Sequence, residues 1–220
     1  MRRLTLFLSF CCFFSLLSQK TNAQIGINAG YQINETDSWI SENTAQSVVA
    51  NGYKAGIDYW FRLKNKRIEF TPELSYAFYK SLSSTGSADY KVEFFNFQLN
   101  TNIYLLDLLN DCNCPTFSKQ NNFIQKGFFI RVAPGVSLPR FQQTRLDLDA
   151  NSGDLQPMLA LGLGLDIGLS DLLTISPILT ANYLPNVEWR GPDPLAMNAP
   201  NADFWQINAG IRLGFRFDDY

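Results

Sequence analysis

Residues 157–169 read PMLALGLGLDIGL, and residues 204–217 read FWQINAGIRLGFRF. In both stretches most alternate residues are large and apolar, and most of those between them are small, amide or charged. This period of two is typical of a β-strand with one apolar and one polar face. The same alternation recurs in six further segments, which are residues 24–34, 51–63, 68–80, 90–106, 127–138 and 173–184.

The segments are long for a soluble sheet, whose strands usually have about 5–6 residues. Tilted strands that cross a bilayer need about 9–11 residues. An even number of segments is expected of a closed barrel whose first and last strands pair. We therefore predict an all-β fold, an eight-stranded antiparallel up-and-down transmembrane β-barrel.

The connections between the segments alternate in length. Those after the second and sixth segments are tight, whereas long or polar ones follow the odd-numbered segments, at residues 35–50, 81–89, 139–156 and 185–203. Short turns on the periplasmic side and long loops outside are typical of outer-membrane barrels. Residues 107–126 are the exception, a long connection on the predicted periplasmic side.

The composition excludes several functions. Hydrophobic residues make up 46% of the chain and charged residues only 17%, against about 25% charged in ordinary soluble domains. The chain has no histidine, which excludes histidine-based nucleophile relays and the common histidine metal sites. A formal charge of −2 offers no basic footprint for nucleic acid. We predict no enzyme activity and no cofactor.

The first residues have the layout of a secretory signal peptide. Basic residues precede an apolar run at 4–17, and small residues follow at Thr21 and Ala23. The run is shorter than the roughly 18–20 residues that a membrane-spanning helix needs. We predict cleavage after Ala23, so that residues 1–23 are removed and residues 24–220 form one exported barrel domain in the outer membrane.

The face opposite the apolar rows carries mostly Gly, Asn, Gln, Ser and Thr, with isolated charges of both signs. A water-facing exterior is usually richer in Lys and Glu, so we place this face in a narrow lumen. The alternative is a soluble lipocalin-like ligand-binding barrel with the apolar face inside. The predicted polar network of the lumen comprises Asp58, Arg62, Glu69, Glu73, Arg131, Asp166, Arg212 and Arg216.

Aromatic residues cluster toward the segment ends, where girdles at two lipid interfaces would place them. They are Tyr31, Tyr53, Tyr59, Phe78, Tyr104, Phe128, Tyr183, Trp205 and Phe217. In the fourth segment the apolar phase changes at Phe94 and Phe95, which predicts a β-bulge there. Because proline cannot donate to a strand ladder, we expect Pro72, Pro134 and Pro177 near rims or bulges.

The last segment and the connector carry two further candidates. The spacing of Asn208, Gly210, Leu213 and Phe215 resembles the signal that the barrel assembly machinery reads. Cys112 and Cys114 lie in the 107–126 connection with one residue between them. A mutual disulfide would close a small, strained ring, and a redox or metal site would hold only half a zinc shell. The plainest interpretation is a structured turn.

The mature chain resembles the outer-membrane β-barrel family of Bacteroidetes called PorT-like, and more distantly the small OmpA- and OmpX-type barrels. Its hydrophobic patterns carry the resemblance, namely NAGYQ at 28–32, FNFQLNTNIYLL at 95–106, KGFFIRVAPGVSL at 126–138 and GIRLGFRF at 210–217. The founding member is associated with a protein secretion and gliding apparatus. The resemblance implies outer-membrane lipid and the barrel assembly machinery as partners.

The predicted function is that of a structural or interaction protein whose lumen is filled by side chains. Its outer loops or the 107–126 periplasmic connector would meet an envelope protein. The alternatives are a narrow channel and an accessory component of a protein secretion apparatus.

Overall fold

The computed structural model describes residues 24–35, 49, 51–62, 67–80, 90–107, 127–143, 148–170, 172–188 and 201–216. The predicted signal segment, residues 1–23, lies outside these residues. So do Cys112, Cys114 and residues 108–126 of the predicted connector. Within the described ranges, no helix is long and apolar enough to cross a membrane.

The described chain is almost entirely β-strand. Its strands are β1 (Gln24–Glu35), β2 (Gly52–Arg62), β3 (Ile68–Lys80), β4 (Tyr90–Ile103), β5 (Phe128–Gln143), β6 (Leu148–Ser152), β7 (Gln156–Leu165), β8 (Ile167–Gly168), β9 (Leu173–Glu188) and β10 (Asn201–Arg216). A short 3₁₀ helix at Leu105–Asp107 follows β4.

Eight of these strands close into an antiparallel barrel in the order β10, β1, β2, β3, β4, β5, β7, β9. The barrel closes because β10 pairs with both β1 and β9. Short β6 pairs with β5 at one end, and β8 pairs with β9 at the other. The predicted eight-stranded antiparallel barrel is confirmed.

The two ends of the barrel differ in their connections. The first residue of β1 and the last residue of β10 lie at the same end, which we call the turn end, together with the short connections at 63–66 and 169–172. The other end, which we call the loop end, receives the connections between β1 and β2, β3 and β4, and β9 and β10, whereas the long connection between β4 and β5 leaves from the turn end. This arrangement follows from the even number of barrel strands.

The barrel is apolar outside and largely polar inside. On β7, Leu159, Leu161 and Leu163 are 46%, 55% and 48% exposed, whereas Ala160 between them is 1% exposed. The same alternation runs along the other barrel strands, because successive side chains of a strand point to opposite faces. The apolar rows therefore point away from the barrel axis.

Aromatic pairs lie on the outer surface toward both ends. At the loop end, Tyr31 contacts Tyr53 edge-on with ring centroids 5.5 Å apart, and Tyr183 and Trp205 lie with centroids 4.6 Å apart. At the turn end, the ring of Phe61 stacks on a β3 phenylalanine with centroids 5.2 Å apart. These pairs bracket the apolar surface, as interfacial girdles do.

The β-bulge predicted at Phe94 and Phe95 is absent, and that prediction is wrong. β4 keeps one register against β3 and β5 through this region. Val92 and Phe94 instead point into the barrel and are buried. The apolar phase changes in the sequence because the lining of the lumen changes from polar to apolar toward the loop end, without any change in the strand.

The three prolines lie within strands and not at rims or bulges, so that expectation is also wrong. Pro72, Pro134 and Pro177 occupy paired positions in β3, β5 and β9. The β2–β3 ladder lapses for two residues beside Pro72, and the β4–β5 ladder lapses for two residues beside Pro134. The register is unchanged across each gap, because a missing N–H removes bonds toward one neighbouring strand only.

Candidate functional site

The inner face of the barrel brings together most of the charges that the sequence analysis assigned to the lumen. Six of them are described with their side chains and are buried, namely Asp58, Glu69, Glu73, Arg131, Asp166 and Arg212. They come from five different strands or their ends. The side chains of Arg62 and Arg216 lie outside the described part of the structure.

Arg212 of β10 and Asp58 of β2 form a buried ion pair across the lumen. Arg212 Nε donates to both carboxylate oxygens, at 3.0 and 2.8 Å, and Nη2 lies 2.6 Å from Oδ1. Gly26 of the intervening strand β1 makes room, because a Cβ there would lie 2.5 Å from Asp58 Oδ1. Such a multiply hydrogen-bonded pair fixes both groups in one geometry.

A second buried pair lies in the middle of the lumen. Lys54 Nζ lies 2.6 Å from Glu73 Oε1 and donates to Gln98 Oε1 at 3.1 Å. Asn100 Nδ2 donates to the other oxygen of Glu73 at 2.9 Å. The predicted network did not include Lys54, although its place on the polar face of residues 51–63 was a usable signal.

A third group closes the turn end of the lumen around Tyr104. The Tyr104 hydroxyl oxygen lies 2.8 Å from Glu69 Oε2 and is also hydrogen-bonded to Asp166. Trp60 Nε1 donates to Glu69 at 2.6 Å, and Ser176 Oγ donates to Asp166 at 2.5 Å. Tyr104 is buried in the lumen, so its predicted place in a lipid-facing girdle is wrong.

Arg131 of β5 differs from the other buried cations. Its Nε donates to Asn102 Oδ1 at 2.8 Å, and its guanidinium lies 5.6 Å from the Phe129 ring centroid. Within the described ranges it forms no ion pair with a carboxylate, and its Nη2 has no hydrogen-bond partner. Arg131 lines both of the small cavities described in the lumen, of about 20 and about 10 Å³.

The loop end of the lumen is closed by apolar side chains rather than by a polar plug. Phe94 contacts Tyr79 and Phe204, with ring centroids 5.5 Å apart in both pairs. The full buried cluster, which we call the outer plug, comprises Val49, Ala77, Tyr79, Val92, Phe94, Phe141, Met158, Leu184, Val187 and Phe204. The lumen is therefore polar from the turn end to its middle and apolar above.

The residues of the predicted assembly signal divide between the two faces of β10. Asn208 is buried in the lumen and Gly210 lines the mid-lumen cavity, whereas Leu213 and Phe215 alternate with the inward-facing Arg212 and Gly214. Their role in assembly stays a prediction. Among the described residues, no group of three or more His, Cys, Asp and Glu side chains could hold a metal ion.

An antiparallel eight-stranded barrel with apolar rows outside and charges within is the architecture of small outer-membrane β-barrels. The structure is similar to the crystal structure of Neisserial surface protein A, with a TM-score of 0.51 and 15% identity over 90% of this chain and 98% of that one. The two chains share their fold.

Two more distant similarities have lower TM-scores. A major outer membrane protein of Thermus thermophilus aligns with a TM-score of 0.45 and 12% identity, over 89% of this chain and 99% of that one. The attachment invasion locus protein Ail of Yersinia pestis aligns with a TM-score of 0.42 and 12% identity, over 87% and 99%. No protein-family profile and no curated protein matches the sequence.

Proposed function

We propose that this chain is an integral outer-membrane protein that works as a structural or interaction barrel. The observation that carries the proposal is the outer surface. Ile25 of β1, Leu161 of β7 and Ile211 of β10 are 47%, 55% and 52% exposed, on strands distributed around the barrel. A continuous apolar surface of this kind is unsuited to water and suited to lipid.

The outward-facing charges support the same placement. Among the described side chains, those that point outward from the strands and carry charge lie toward the loop end, namely Lys91, Glu93, Arg140, Glu188 and Asp203. Lys91 forms an ion pair with Glu93, which also accepts a hydrogen bond from Tyr76 at 2.5 Å. Charges at a membrane surface are tolerated, whereas charges at its centre are costly.

The closed lumen supports an interaction role over conduction. The outer plug closes the loop end, and the two cavities below it have room for about one water molecule each. The buried carboxylates of the lumen are held by Arg212, Lys54 and the Tyr104 group, which leaves them engaged in structure rather than poised for acid–base chemistry. We therefore propose that partners are met by the loops or the 107–126 connector.

The finer assignments remain proposals. A PorT-like role, as an accessory to a secretion apparatus, is supported by the sequence patterns at 28–32, 95–106, 126–138 and 210–217 alone. Location in the outer membrane is supported by the barrel fold and by the predicted signal segment. An envelope protein as partner is supported by the length of the connection between β9 and β10.

Fractionation and electrophysiology test this proposal together. The full chain should fractionate with outer membranes. On a denaturing gel an unheated sample should migrate faster than a heated one, as folded barrels do. In planar bilayers the purified protein should show no stable large conductance. A water-soluble monomer, or a steady large conductance, would contradict the proposal.

The loop can be tested separately. Replacing residues 189–200 with a Gly-Ser segment of equal length should leave folding intact, because β9 ends at Glu188 and β10 begins at Asn201. Once an envelope partner is known, its binding should be lost in this variant and kept in a variant with the 63–66 turn replaced. Unchanged binding would count against this loop and favour the connector.

A further inference from the structure

The mid-lumen cavity lies between all the walls of the barrel. Each of the eight barrel strands contributes at least one lining residue. The space arises where two glycines meet on the inner face, because Gly210 of β10 lines the cavity and pairs with Gly30 of β1. Neither residue has a side chain to fill the lumen. The cavity of about 20 Å³ therefore has room for one water-sized occupant.

Two N–H donors on opposite walls of this cavity are unpaired. Arg131 of β5 and Asn28 of β1 both line the cavity, and their strands are four places apart in the ring of eight. Among the described residues, Arg131 Nη2 and Asn28 Nδ2 have no hydrogen-bond partner. Because Arg131 is only 5% exposed, bulk water does not supply the missing partner, and the burial of such a group is costly.

The lining also carries unpaired acceptors and charges of both signs. Asn182 Oδ1 of β9 and Asn208 Oδ1 of β10 are buried and lack a hydrogen-bond partner within the described ranges. The Glu73 carboxylate, which Lys54 holds at 2.6 Å, lines the cavity too. An anion would meet these oxygens, whereas a cation would meet Lys54 and Arg131. The lining therefore fits a neutral molecule that both donates and accepts hydrogen bonds.

We propose that the mid-lumen cavity is a binding site for one ordered water molecule that joins opposite walls of the barrel. Its oxygen accepts hydrogen bonds from Arg131 and Asn28, and its two O–H groups donate to the unpaired oxygens of Asn182 and Asn208. Buried waters typically make about three hydrogen bonds, to polar groups that are otherwise unsatisfied. The water replaces part of the hydration that Arg131 loses on burial, where Nε has only the uncharged amide of Asn102 as its partner.

A water at this place links strands that do not pair with one another. β5, which carries Arg131, pairs with β4, β6 and β7, whereas the three asparagines lie on β1, β9 and β10. The water is therefore a structural cross-link through the lumen, at the level between the outer plug and the Tyr104 group. Arg131 is the charged residue that holds it.

A high-resolution crystal structure identifies the occupant directly. Crystals of the refolded protein are grown in sodium bromide and measured at the bromine absorption edge. We expect the density of one water within hydrogen-bond distance of Arg131 Nη2, without anomalous signal. A cavity that shows no density would overturn the proposal. An anomalous peak in the cavity would overturn it as well, because the occupant would then be an anion.

NMR spectroscopy in lipid nanodiscs gives a readout in a bilayer. The side-chain amide protons of Asn28 should show a rotating-frame Overhauser cross-peak to water, since the bound molecule stays beside them. The sign of this cross-peak distinguishes a nearby water from proton exchange. No cross-peak, or a cross-peak with the sign of exchange only, would overturn the proposal.

Substitution of one acceptor provides a matched pair of variants. Asn208→Leu keeps the approximate shape of the side chain and removes its oxygen, so the water density and the Asn28 cross-peak should be lost. The unfolding equilibrium constant should rise about 5- to 150-fold, as when buried N–H groups lose their acceptor. The control is Gln206→Met, a change at a buried residue of β10 outside the cavity lining, which should keep both water signals.

The two variants decide together. Water signals that persist unchanged in Asn208→Leu, or that disappear equally in Gln206→Met, would overturn the proposal. If Asn208→Leu does not fold, the density and the cross-peak of the wild-type protein decide alone.

Discussion

Placing an arginine at the middle of the outer surface tests the membrane account most sharply. Leu161 lies near the centre of β7, points outward and is 55% exposed, and it pairs with Val132 and Ala181. If this surface faces hydrocarbon, Leu161→Arg should destabilise the barrel by about 2–4 kcal/mol in lipid. If the surface faced water, the same change would cost close to nothing.

The matched control is the same substitution at the edge of the belt. Leu155 is 62% exposed and lies six residues toward the loop end. Six residues span about 20 Å along a strand, or about 15 Å along the membrane normal at a tilt of about 40°. Half of an apolar band about 25 Å tall is about 12 Å, so Leu155 lies beyond it. Leu155→Arg should cost only about 0–1 kcal/mol.

The assay is reversible urea unfolding in phospholipid vesicles, followed by tryptophan fluorescence. The two arginine variants should differ by about 2–3 kcal/mol, or about 30- to 150-fold in the unfolding constant. Equal costs at the two positions, or no cost at Leu161, would refute the reasoning that the β7 apolar row contacts lipid.

Three further predictions concern the lumen and the loop end. Asp58→Asn leaves Arg212 buried without its carboxylate and should lower the free energy of unfolding by about 3–5 kcal/mol. Adding Arg212→Met in a double-mutant cycle should recover most of this loss. A loss under about 1 kcal/mol in Asp58→Asn would contradict the pairing. Gly164→Ala puts a Cβ 2.1 Å from the Phe129 ring, so it should cost about 1–3 kcal/mol, and Phe129→Leu should partly rescue it. Asp203 lies beyond the Tyr183–Trp205 pair at the loop end. Its carboxylate accepts hydrogen bonds from the Asn186 backbone N–H and from the Tyr183 hydroxyl, and these two bonds lower the pKa of Asp203. Because the folded pKa is depressed, the stabilisation is present at neutral pH and is lost as the pH falls below about 4. A carbon-13 NMR titration in which Asp203 titrates at or above its unfolded value would contradict this.

The barrel could be predicted from the sequence because its main signal is a property of the backbone. A strand directs alternate side chains to opposite faces, so within its own segment Asp58 lies opposite Ile57, and Arg212 lies opposite Ile211. The long segments and their even number then favoured a closed transmembrane barrel. The polar composition of the second face indicated that it was the inner one.

The sequence did not reveal what fills each level of the lumen. Tyr104 is an aromatic residue at a segment end, and residue type alone does not separate a girdle tyrosine from one buried between two carboxyl groups. Val92 and Phe94 give a change of apolar phase in the sequence, and a bulge and an apolar stretch of the inner face produce the same pattern. The place of such residues depends on which side chains the closed barrel brings opposite them, from strands distant in sequence.

The prediction that the three prolines lie near rims or bulges is wrong for a different reason. The general preference of proline for rims and bulges does not hold for these strands, which have a neighbour on both sides. In the structure, Pro72 and Pro134 each interrupt pairing toward one neighbour while the register with the other continues. Closure of the barrel on both sides of each strand maintains the alignment that an open sheet edge would not.

The most direct test of the account is to measure which medium each face of β7 contacts. Spin labels at Leu159, Leu161 and Leu163, and at Met158 and Ala160, are examined in bilayers by collision with lipid-soluble oxygen and a water-soluble nickel complex. The three leucine positions should show high oxygen and low nickel accessibility, and the two inward positions should be shielded from both. Outward positions that collide freely with nickel, or an alternation of the opposite phase, would contradict the central claim that lipid surrounds the barrel.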